Sequence, residues 1–290
     1  MIQPADANMV LFSALLPRRQ PRFWARLQPI LAEHRVLYRF ITGTRDIWAR
    51  DFCPVQVSPT RFVQFTYTPD YLADVPGLRT RREEMSIPPQ IRWGRAWGRS
   101  ALVVDGGNIV AGEGGHAVLT DKVLAENPRC SRAALLTRLN RLLRAEKLTL
   151  IPREPWDIFG HADGILWFVG RDHVIVNDYR RQAPAYRKTL LDRLTAAGIG
   201  FDEVPYTPRQ SAGNPHSAFG TYTNILQVGN LVLVPAYGQT QDKTVIRIVR
   251  RLTNDQYPVE GIDCRDLSLE GGCINCVAWA VQLATKRNKP

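Results

Sequence analysis

The sequence predicts an α/β fold built from a repeated supersecondary unit, and three observations support this prediction. Four segments show the apolar spacing of three and four residues that marks an amphipathic helix. A short apolar run that is typical of a strand follows each of them, and further strand-like segments lie between these units. The unit recurs about every 50 to 60 residues, which favours a propeller or another closed repeat.

The predicted elements follow one another in the order strand, strand, helix, strand. The predicted helices span 22–34, 121–147, 185–197 and 242–252, and the strands that follow them span 36–40, 148–151, 201–204 and 257–262. The predicted strands between these units lie at 61–67, 102–104 with 109–111, 165–169 with 174–177, and 222–227 with 231–235. No Ser/Gly-rich linker divides the sequence, so we expect residues 1–290 to form a single domain.

The composition is that of an ordinary globular protein. Hydrophobic residues make up 44% and charged residues 22% of the chain, which excludes intrinsic disorder and collagen-like repeats. No apolar run reaches the roughly 18 residues of a membrane-spanning helix. Two arginines rather than a small-residue cleavage site follow the apolar stretch 9–16, so we expect a cytoplasmic protein without a membrane partner. Five widely spread cysteines then indicate reduced thiols rather than a disulfide framework.

The formal net charge of +11 raises the question of a nucleic-acid partner. The basic residues form small scattered groups, and no helix-turn-helix, zinc-finger or RNP motif accompanies them. We therefore expect a solvated basic surface and no nucleic-acid partner.

Polar residues suited to chemistry follow the four helix–strand units at a similar distance. Asp51, His161, His216 and Cys276 come ten to fourteen residues after the units end. If the units are related by rotation about one axis, equivalent loops converge at one end of that axis. We therefore expect Asp51, His161 and Cys276 to meet in space, whereas His216 is interpreted as a coincidence of loop composition.

The mid-chain segment Phe159-Gly-His-Ala-Asp-Gly places a base and a carboxylate two residues apart, at His161 and Asp163. At the head of a strand, two such side chains point to the same face and so into one pocket. Taken alone, this H-x-D pair fits a satisfied structural pair as well as it fits a functional site.

The C-terminal segment Gly271-Gly-Cys-Ile-Asn-Cys contains a C-x-x-C pair, which is compatible with a redox pair or with half of a zinc site. A zinc site needs further ligands, and the sequence has no second C-x-x-C and no paired histidines. We favour a single functional thiol, Cys276, with Cys273 as a small packing residue.

Two acidic turns complete the candidate residues. Asp51 stands beside Arg50, and only one of two neighbouring strand residues can enter a given pocket. Asp105 begins Asp-Gly-Gly-Asn, which ends at Asn108 and is typical of a hairpin turn between two short strands.

In this order, the R-D pair, the D-G-G-N turn, G-H-x-D and G-G-x-x-N-C resemble the motifs of the agmatine deiminase family, which is also described as the bacterial type of peptidyl-arginine deiminase. The resemblance extends from Ile47 to Trp279. It implies a five-bladed, pseudo-symmetric α/β propeller of ββαβ modules, the pentein fold. This family belongs to the guanidine-modifying superfamily, so the implied activity is hydrolysis of a guanidinium at a C–N bond.

The resemblance also implies roles for individual residues. Cys276 is expected to be the nucleophile and His161 the general acid and base, with Asp105 orienting His161. Asp51 and Asp163 are expected to hold the guanidinium, whose planar fork of donors matches carboxylates. Asn108, Asn275 and Trp48 are further candidate substrate-binding residues. No metal or organic cofactor is implied, the partner is a small guanidine or an arginine-containing peptide, and a homodimer is left open.

Two departures from the family bear on the substrate. Relatives commonly have His immediately before the catalytic cysteine, or Arg where free arginine is the substrate, whereas this chain has Asn275. A neutral Asn does not pair strongly with a carboxylate, which disfavours free arginine. The chain is also short for the family, which predicts a more open mouth that Trp48, Trp93, Trp97 and Tyr237 are candidates to line. Agmatine is therefore the first candidate, with peptidyl-arginine and free arginine as alternatives.

Two other classes of protein remain as rivals. His161, Asp163 and His216 imitate the facial triad of an Fe(II)/2-oxoglutarate oxygenase. That class also needs a basic residue shortly after the distal histidine, and residues 217–230 contain no Lys or Arg. The second rival is a non-catalytic, basic nucleic-acid-binding scaffold. The presence of a suitable residue at every expected catalytic position argues against it.

Overall fold

The computed structural model describes residues 1–88, 91, 97–209 and 214–283. In this part of the chain the strands are β1 (Met9–Ser13), β2 (Leu37–Ile41), β3 (Val55–Ser58), β4 (Arg61–Thr66), β5 (Trp97–Val103), β6 (Val110–Gly112), β7 (His116–Thr120), β8 (Lys147–Ile151), β9 (Leu166–Gly170), β10 (His173–Asn177), β11 (Gly200–Val204), β12 (Leu226–Val228), β13 (Leu231–Ala236), β14 (Val259–Asp263) and β15 (Ala278–Val281). The α-helices are α1 (Leu16–Arg19), α2 (Pro21–Glu33), α3 (Ala49–Phe52), α4 (Lys122–Glu126), α5 (Arg132–Leu143), α6 (Pro184–Ala196), α7 (Thr240–Leu252) and α8 (Arg265–Ser268).

These strands form five sheets of three strands, and every sheet has the same internal pairing. The sheets are β15-β1-β2, β3-β4-β5, β6-β7-β8, β9-β10-β11 and β12-β13-β14. In each, the middle strand runs antiparallel to the first strand and parallel to the third. The mixed α/β fold of repeated strand–strand–helix–strand units that the sequence predicts is therefore confirmed.

A helix fills the parallel crossover in four of the sheets, where a right-handed connection of this length is usual. These helices are α2, α5, α6 and α7. In β3-β4-β5 the crossover contains three short 3₁₀ turns instead, together with residues outside the described part of the chain. One of these turns, Asp70–Leu72, returns below because it lies beside the candidate site.

Each crossover helix buries one apolar stripe of residues three or four positions apart. The buried residues are Phe23, Leu27 and Leu31 on α2, Leu135, Leu139 and Leu143 on α5, Leu190 and Leu194 on α6, and Val245 and Val249 on α7. Full burial of such a side chain stabilises the fold by about 1.5–3 kcal/mol. The stripes of α2, α5 and α6 also contact a strand of the neighbouring sheet, so the helices join the sheets to one another.

The predicted helix at 121–147 is wrong in its extent, because the structure has two helices there. Helix α4 ends at Glu126, and α5 begins at Arg132. Pro128 disfavours a helical conformation at Asn127, which ends α4. Ser131 then starts α5 as its N-cap, because its side chain accepts a hydrogen bond from the backbone N–H of Ala134.

Two strand predictions also need correction. The predicted strands 102–104 and 109–111 do not form a hairpin, because β5 closes one sheet and β6 opens the next. Asp-Gly-Gly-Asn is a 3₁₀ turn between these sheets. The predicted strand 222–227 is shorter, since β12 begins at Leu226. The other predicted helices and strands are confirmed with ends shifted by a few residues. No helix in the described residues is long and apolar enough to cross a membrane.

Candidate active site

Four of the five segments that connect one sheet to the next line a cavity of about 300 Å³, and the fifth, β5–β6, contacts the lining residue His161 through Asp105. Each of them follows the parallel strand of one sheet and precedes the first strand of the next. They contribute Asp51 from β2–β3, Asp105 from β5–β6, His161 and Asp163 from β8–β9, Asn224 from β11–β12, and Cys276 from β14–β15. The structure thus brings Asp51, His161 and Cys276 together, as the expected convergence of equivalent loops requires.

His161 lies between two carboxylates. Its Nε2 is 3.0 Å from Oδ2 of Asp105, and its Nδ1 is 3.5 Å from Oδ1 of Asp51. Burial lowers the pKa of His161, but Asp51 and Asp105 outweigh it and raise that pKa to about 9. The imidazole is therefore a cation at neutral pH that has a proton to donate. Burial raises the pKa of Asp51 to about 7, because His161 offsets only part of the desolvation.

Cys276 lies beside Asn224 and a third carboxylate, that of Asp163. Its Sγ is 3.4 Å from Oδ1 of Asn224 and 4.0 Å from Oδ2 of Asp163. Asn224 Nδ2 donates to the backbone carbonyl of Asp163, and Asn275 Nδ2 donates to Asp163 Oδ2 at 2.7 Å. This network fixes the carboxylate and the thiol relative to each other. Burial, and then the negative charges of Asp163 and Asp51, raise the pKa of the Cys276 thiol well above its usual value.

Two glycines are required by the close approach of these side chains. A Cβ on Gly107 would lie 2.6 Å from Asp51 Oδ1 and 2.7 Å from His161 Nδ1. A Cβ on Gly272 would lie 2.6 Å from Cζ3 of Trp48 and 3.1 Å from Sγ of Cys276. The Gly-Gly motifs of the sequence therefore leave space for the reacting groups.

The substitution Gly272→Ala is expected to reduce kcat/KM by about 10²-fold, because the new methyl group displaces the thiol by a fraction of an ångström or more. The backbone of Gly272 does not adopt a positive φ, so the fold tolerates alanine. The measurement is steady-state turnover of the guanidine substrate that the sequence resemblance implies, with the unfolding midpoint recorded alongside. Gly170→Ala is the control, since nothing lies within 4 Å of its Cβ position. Equal activity in the two variants would contradict the proposed position of the thiol.

Not every candidate binding residue lines the cavity. Trp48 does line it, whereas Asn275 lies behind Asp163 as its hydrogen-bond donor. Asn108 is fully buried away from the cavity, and its Oδ1 accepts hydrogen bonds from the backbone N–H and the hydroxyl of Thr120. The hydroxyl of Thr120 also donates to the carbonyl of Gly160. The structure thus places Asn108 as a support of the loops that carry Asp105 and His161, not as a substrate contact.

The remaining predictions about individual residues have mixed outcomes. Tyr237 is buried in the core beside Cys273, to whose Sγ its hydroxyl is hydrogen-bonded at 3.1 Å. Trp93 and the side chain of Trp97 lie outside the described residues. His216 stands at the exposed rim of the cavity, against Phe159. Arg50 points to a second, smaller cavity on the far side of Asp163.

Sequence reasoning missed Asn224, which is the polar side chain that β11–β12 directs at the thiol. The spacing of the repeated units indicated His216 in this segment. Asn224 was missed because the predicted strand 222–227 included it and so placed it in the sheet. In the structure β12 begins only at Leu226, which leaves Asn224 in the connecting segment.

The cavity is lined by carboxylates and, among its described lining residues, by no Lys or Arg. This contrasts with the net charge of +11 of the whole chain. The carboxylates are Asp46, Asp51, Glu154, Asp157, Asp163 and Glu270. Such a site attracts cations and repels anions. Within the described residues, no group of three or more His, Cys, Asp and Glu side chains is arranged to hold a metal ion.

Comparisons with known proteins agree with this architecture. The agmatine deiminase of C. jejuni has a similar fold, with a TM-score of 0.79 and 13% identity over 97% of this chain and 95% of that one. The agmatine deiminase of Enterococcus faecalis matches with a TM-score of 0.75 and 15% identity over 98% and 95%. DDAH from Pseudomonas aeruginosa is more distant, with a TM-score of 0.56 and 11% identity over 94% and 99%. No curated protein sequence is significantly similar to this chain.

The five three-stranded sheets thus form the pentein fold, which the agmatine deiminases and DDAH compared above share. The sequence model of the Porphyromonas-type peptidyl-arginine deiminases matches residues 15–281, and the chain belongs to that family.

Proposed function

We propose that this protein hydrolyses the guanidinium group of a small dication, with agmatine as the first candidate, to a ureido group and ammonia. The observation that carries this proposal is the acidic cavity beside Cys276 and His161. Asp51 and Asp163 are available for the guanidinium, and Glu154 and Asp157 line the same cavity for a cationic tail. Free arginine carries a carboxylate beside its ammonium, and the described lining residues include no Lys or Arg to pair with it.

The chemistry follows from the protonation states of the free protein. The thiol of Cys276 is neutral because its pKa is raised, and a guanidinium bound between Asp51 and Asp163 offsets the negative charges that raise it. The thiol then releases its proton to solvent, and the sulfur attacks the central carbon and forms a tetrahedral adduct; the released proton converts the departing ammonia to ammonium. His161 gives its proton to the departing nitrogen, ammonia leaves, and an S-linked amidino adduct remains on Cys276.

The second half of the reaction needs water and a base. After donating its proton, the neutral His161 takes one from water as the water attacks the same carbon. The carbon–sulfur bond breaks, the ureido product leaves, and the thiol is restored. The net change consumes one water and one guanidinium and yields one ureido group and one ammonium ion. Asp105 keeps the imidazole in place throughout, because it accepts from Nε2.

A panel of four guanidines tests the proposal. Purified protein under reducing conditions is incubated with agmatine, arginine, a blocked arginine amide and an arginine-containing peptide, and ureido product is measured. Agmatine is expected to be the best substrate and arginine a poor one. Absence of product from all four, with folded protein, would overturn the proposal.

Peptidyl-arginine is the second candidate, and the rim of the cavity favours it. Leu78 and Ile158 line the mouth and are 38% and 43% exposed, which offers apolar contact to a peptide. Product from the blocked amide and the peptide, but not from agmatine, would establish this alternative.

The preference for a cationic tail is expected to depend on Glu154. This residue is buried, its Oε1 accepts from the hydroxyl of Tyr179, and burial raises its pKa to about 8. At about pH 9, where Glu154 is ionised, Glu154→Gln is expected to reduce the kcat/KM ratio of agmatine over butylguanidine, which lacks the ammonium, by about tenfold. In the wild type the same ratio should rise with pH through 8, as Glu154 loses its proton. A ratio unchanged by the substitution would exclude Glu154 from recognition of the tail.

A further inference from the structure

The reaction proposed above uses no lysine, yet a lysine is buried directly behind its acid and base. Lys122 is the first residue of α4, and its side chain is 1% exposed. Its Nζ is 3.1 Å from Asp105 Oδ2, the oxygen that also lies 3.0 Å from His161 Nε2. Burying a lysine is costly unless the ammonium is paired. The ammonium of Lys122 therefore requires the carboxylates that surround it.

Two further carboxylates complete the surroundings of the ammonium. Nζ of Lys122 is 3.1 Å from Glu126 Oε1, one turn along α4, and 3.3 Å from Asp70 Oδ1. Asp70 belongs to the 3₁₀ turn Asp70–Leu72 of the β4–β5 crossover. The same ammonium lies over the ring of Tyr71, 4.8 Å from its centroid. Lys122 therefore links Asp105 to the Asp70–Leu72 turn.

That turn forms part of the active-site cavity. Tyr71 lines it and packs edge-on against Phe159 and His161, with centroid distances of 4.9 and 6.0 Å. A displacement of Asp70 would accordingly move an aromatic ring that borders the space for substrate. One ammonium group thus contacts both the carboxylate beside His161 and the turn that borders the cavity.

We propose that Lys122 is a positioning residue for the reaction, which fixes Asp105 behind His161 and ties the Asp70–Leu72 turn over the cavity. This inference rests on the proposed function for its kinetic consequences. Neither role requires Lys122 to touch the substrate, and it does not line the cavity.

Electrostatics give the first role a measurable signature. Burial alone raises the pKa of Asp105, but His161 and Lys122 outweigh it and lower that pKa. The ammonium also opposes protonation of His161. The charged and titratable groups that act on His161 are Asp51, Asp105, Asp163, Lys122, Glu126 and Tyr71. Removal of Lys122 is therefore expected to raise the pKa of His161.

The first experiment removes the ammonium together with one carboxylate. Lys122→Met alone leaves the buried Glu126 without its cation and Asp105 with His161 as its one remaining cationic partner among the described ion pairs, and is expected to destabilise the fold. The double variant Lys122→Met/Glu126→Gln loses one charge of each sign with little change of volume. In the double variant, the pKa of His161, followed by NMR of labelled imidazoles, is expected to rise by about 0.5 pH units, because the loss of the Lys122 ammonium outweighs the loss of the more distant Glu126 carboxylate. Because His161 donates a proton, the alkaline limb of kcat should shift upward with it, and kcat should fall about tenfold.

The second experiment cuts only the link to the turn. Asp70 is 61% exposed, so Asp70→Asn is expected to fold normally. It should raise KM about fivefold without moving the alkaline limb, because the contacts of Asp105 stay intact. Lys188→Met is the matched control, since Lys188 is 77% exposed on α6, and it should change neither quantity.

The outcomes separate this inference from the proposed function. A double variant whose His161 pKa and alkaline limb equal those of the wild type would overturn the first role. An unchanged KM in Asp70→Asn would overturn the second. Wild-type protein inactive on every guanidine would refute the proposed function instead, and the NMR titration would still test Lys122 because it needs no turnover.

Discussion

Cys276→Ser is expected to reduce turnover of the best guanidine substrate by about 10⁴-fold or more, while the unfolding midpoint stays close to that of the wild type. A serine hydroxyl is nearly isosteric with the thiol and keeps the contact with Asn224, so the fold should persist. It is a far weaker nucleophile, however, and nothing in the cavity ionises it. Mass spectrometry of quenched wild-type reactions should show the covalent adduct, and the variant should show none.

Two other cysteines provide controls for this variant. Cys130 lies in the loop between α4 and α5, away from the cavity, so Cys130→Ser should have wild-type activity. Cys273 is buried beside Tyr237, and Cys273→Ser should lose at most about tenfold, because serine preserves that hydrogen bond. A loss in Cys273→Ser as large as that in Cys276→Ser would favour a working cysteine pair over a single nucleophile.

Asp163→Asn is expected to have two opposite effects on the same thiol. Turnover should fall by about 10³-fold, because the substrate loses a carboxylate that holds its guanidinium. Alkylation of Cys276 by iodoacetamide in the absence of substrate should become about tenfold faster at neutral pH. The reason is that Asp163 is, after burial, the largest cause of the raised thiol pKa, and asparagine removes its charge.

The pH dependence of alkylation checks the same argument. In the wild type, the rate should rise with pH without a plateau below pH 9, since the thiol pKa lies well above its usual value. In Asp163→Asn the curve should move to lower pH. Asp192→Asn, an exposed change on α6, should leave it unmoved. Slower alkylation in Asp163→Asn would mean that the carboxylate activates the thiol instead of suppressing it.

The sequence was sufficient to predict the repeating units and the residues with distinctive chemistry. Apolar stripes such as Phe23, Leu27 and Leu31 identify a helix wherever they occur, because burial of one face determines the spacing. His161 and Cys276 stand out for the same local reason, as reactive side chains in glycine-containing segments. The repeat also predicted that His161 and Cys276 share a cavity, because equivalent loops of related units lie at one end of the axis that relates them.

Lys122 and Asn224 could not be found in this way, because their roles depend on distant partners. A lysine within an apolar helical pattern is ordinarily exposed. Lys122 is buried because Asp70 and Asp105, from other segments, meet it in space. Asn108 shows the reverse error, since its place in a motif suggested contact with substrate while Thr120 holds it in the interior. Local patterns predict elements and reactive groups, whereas partners depend on tertiary structure.

The pairing of β15 with β1 has a consequence for how the protein folds during synthesis. Met9 pairs with Val281, so the first strand to leave the ribosome has no antiparallel partner until about 270 further residues have been synthesised. Cys276 lies two residues before β15, so the late pairing of β15 also positions the segment that carries Cys276. Four of the five connecting segments are synthesised before the one that carries Cys276, which joins them only when the first and last strands pair. We therefore expect the candidate site of a nascent chain to stay incomplete until its final strand is in register.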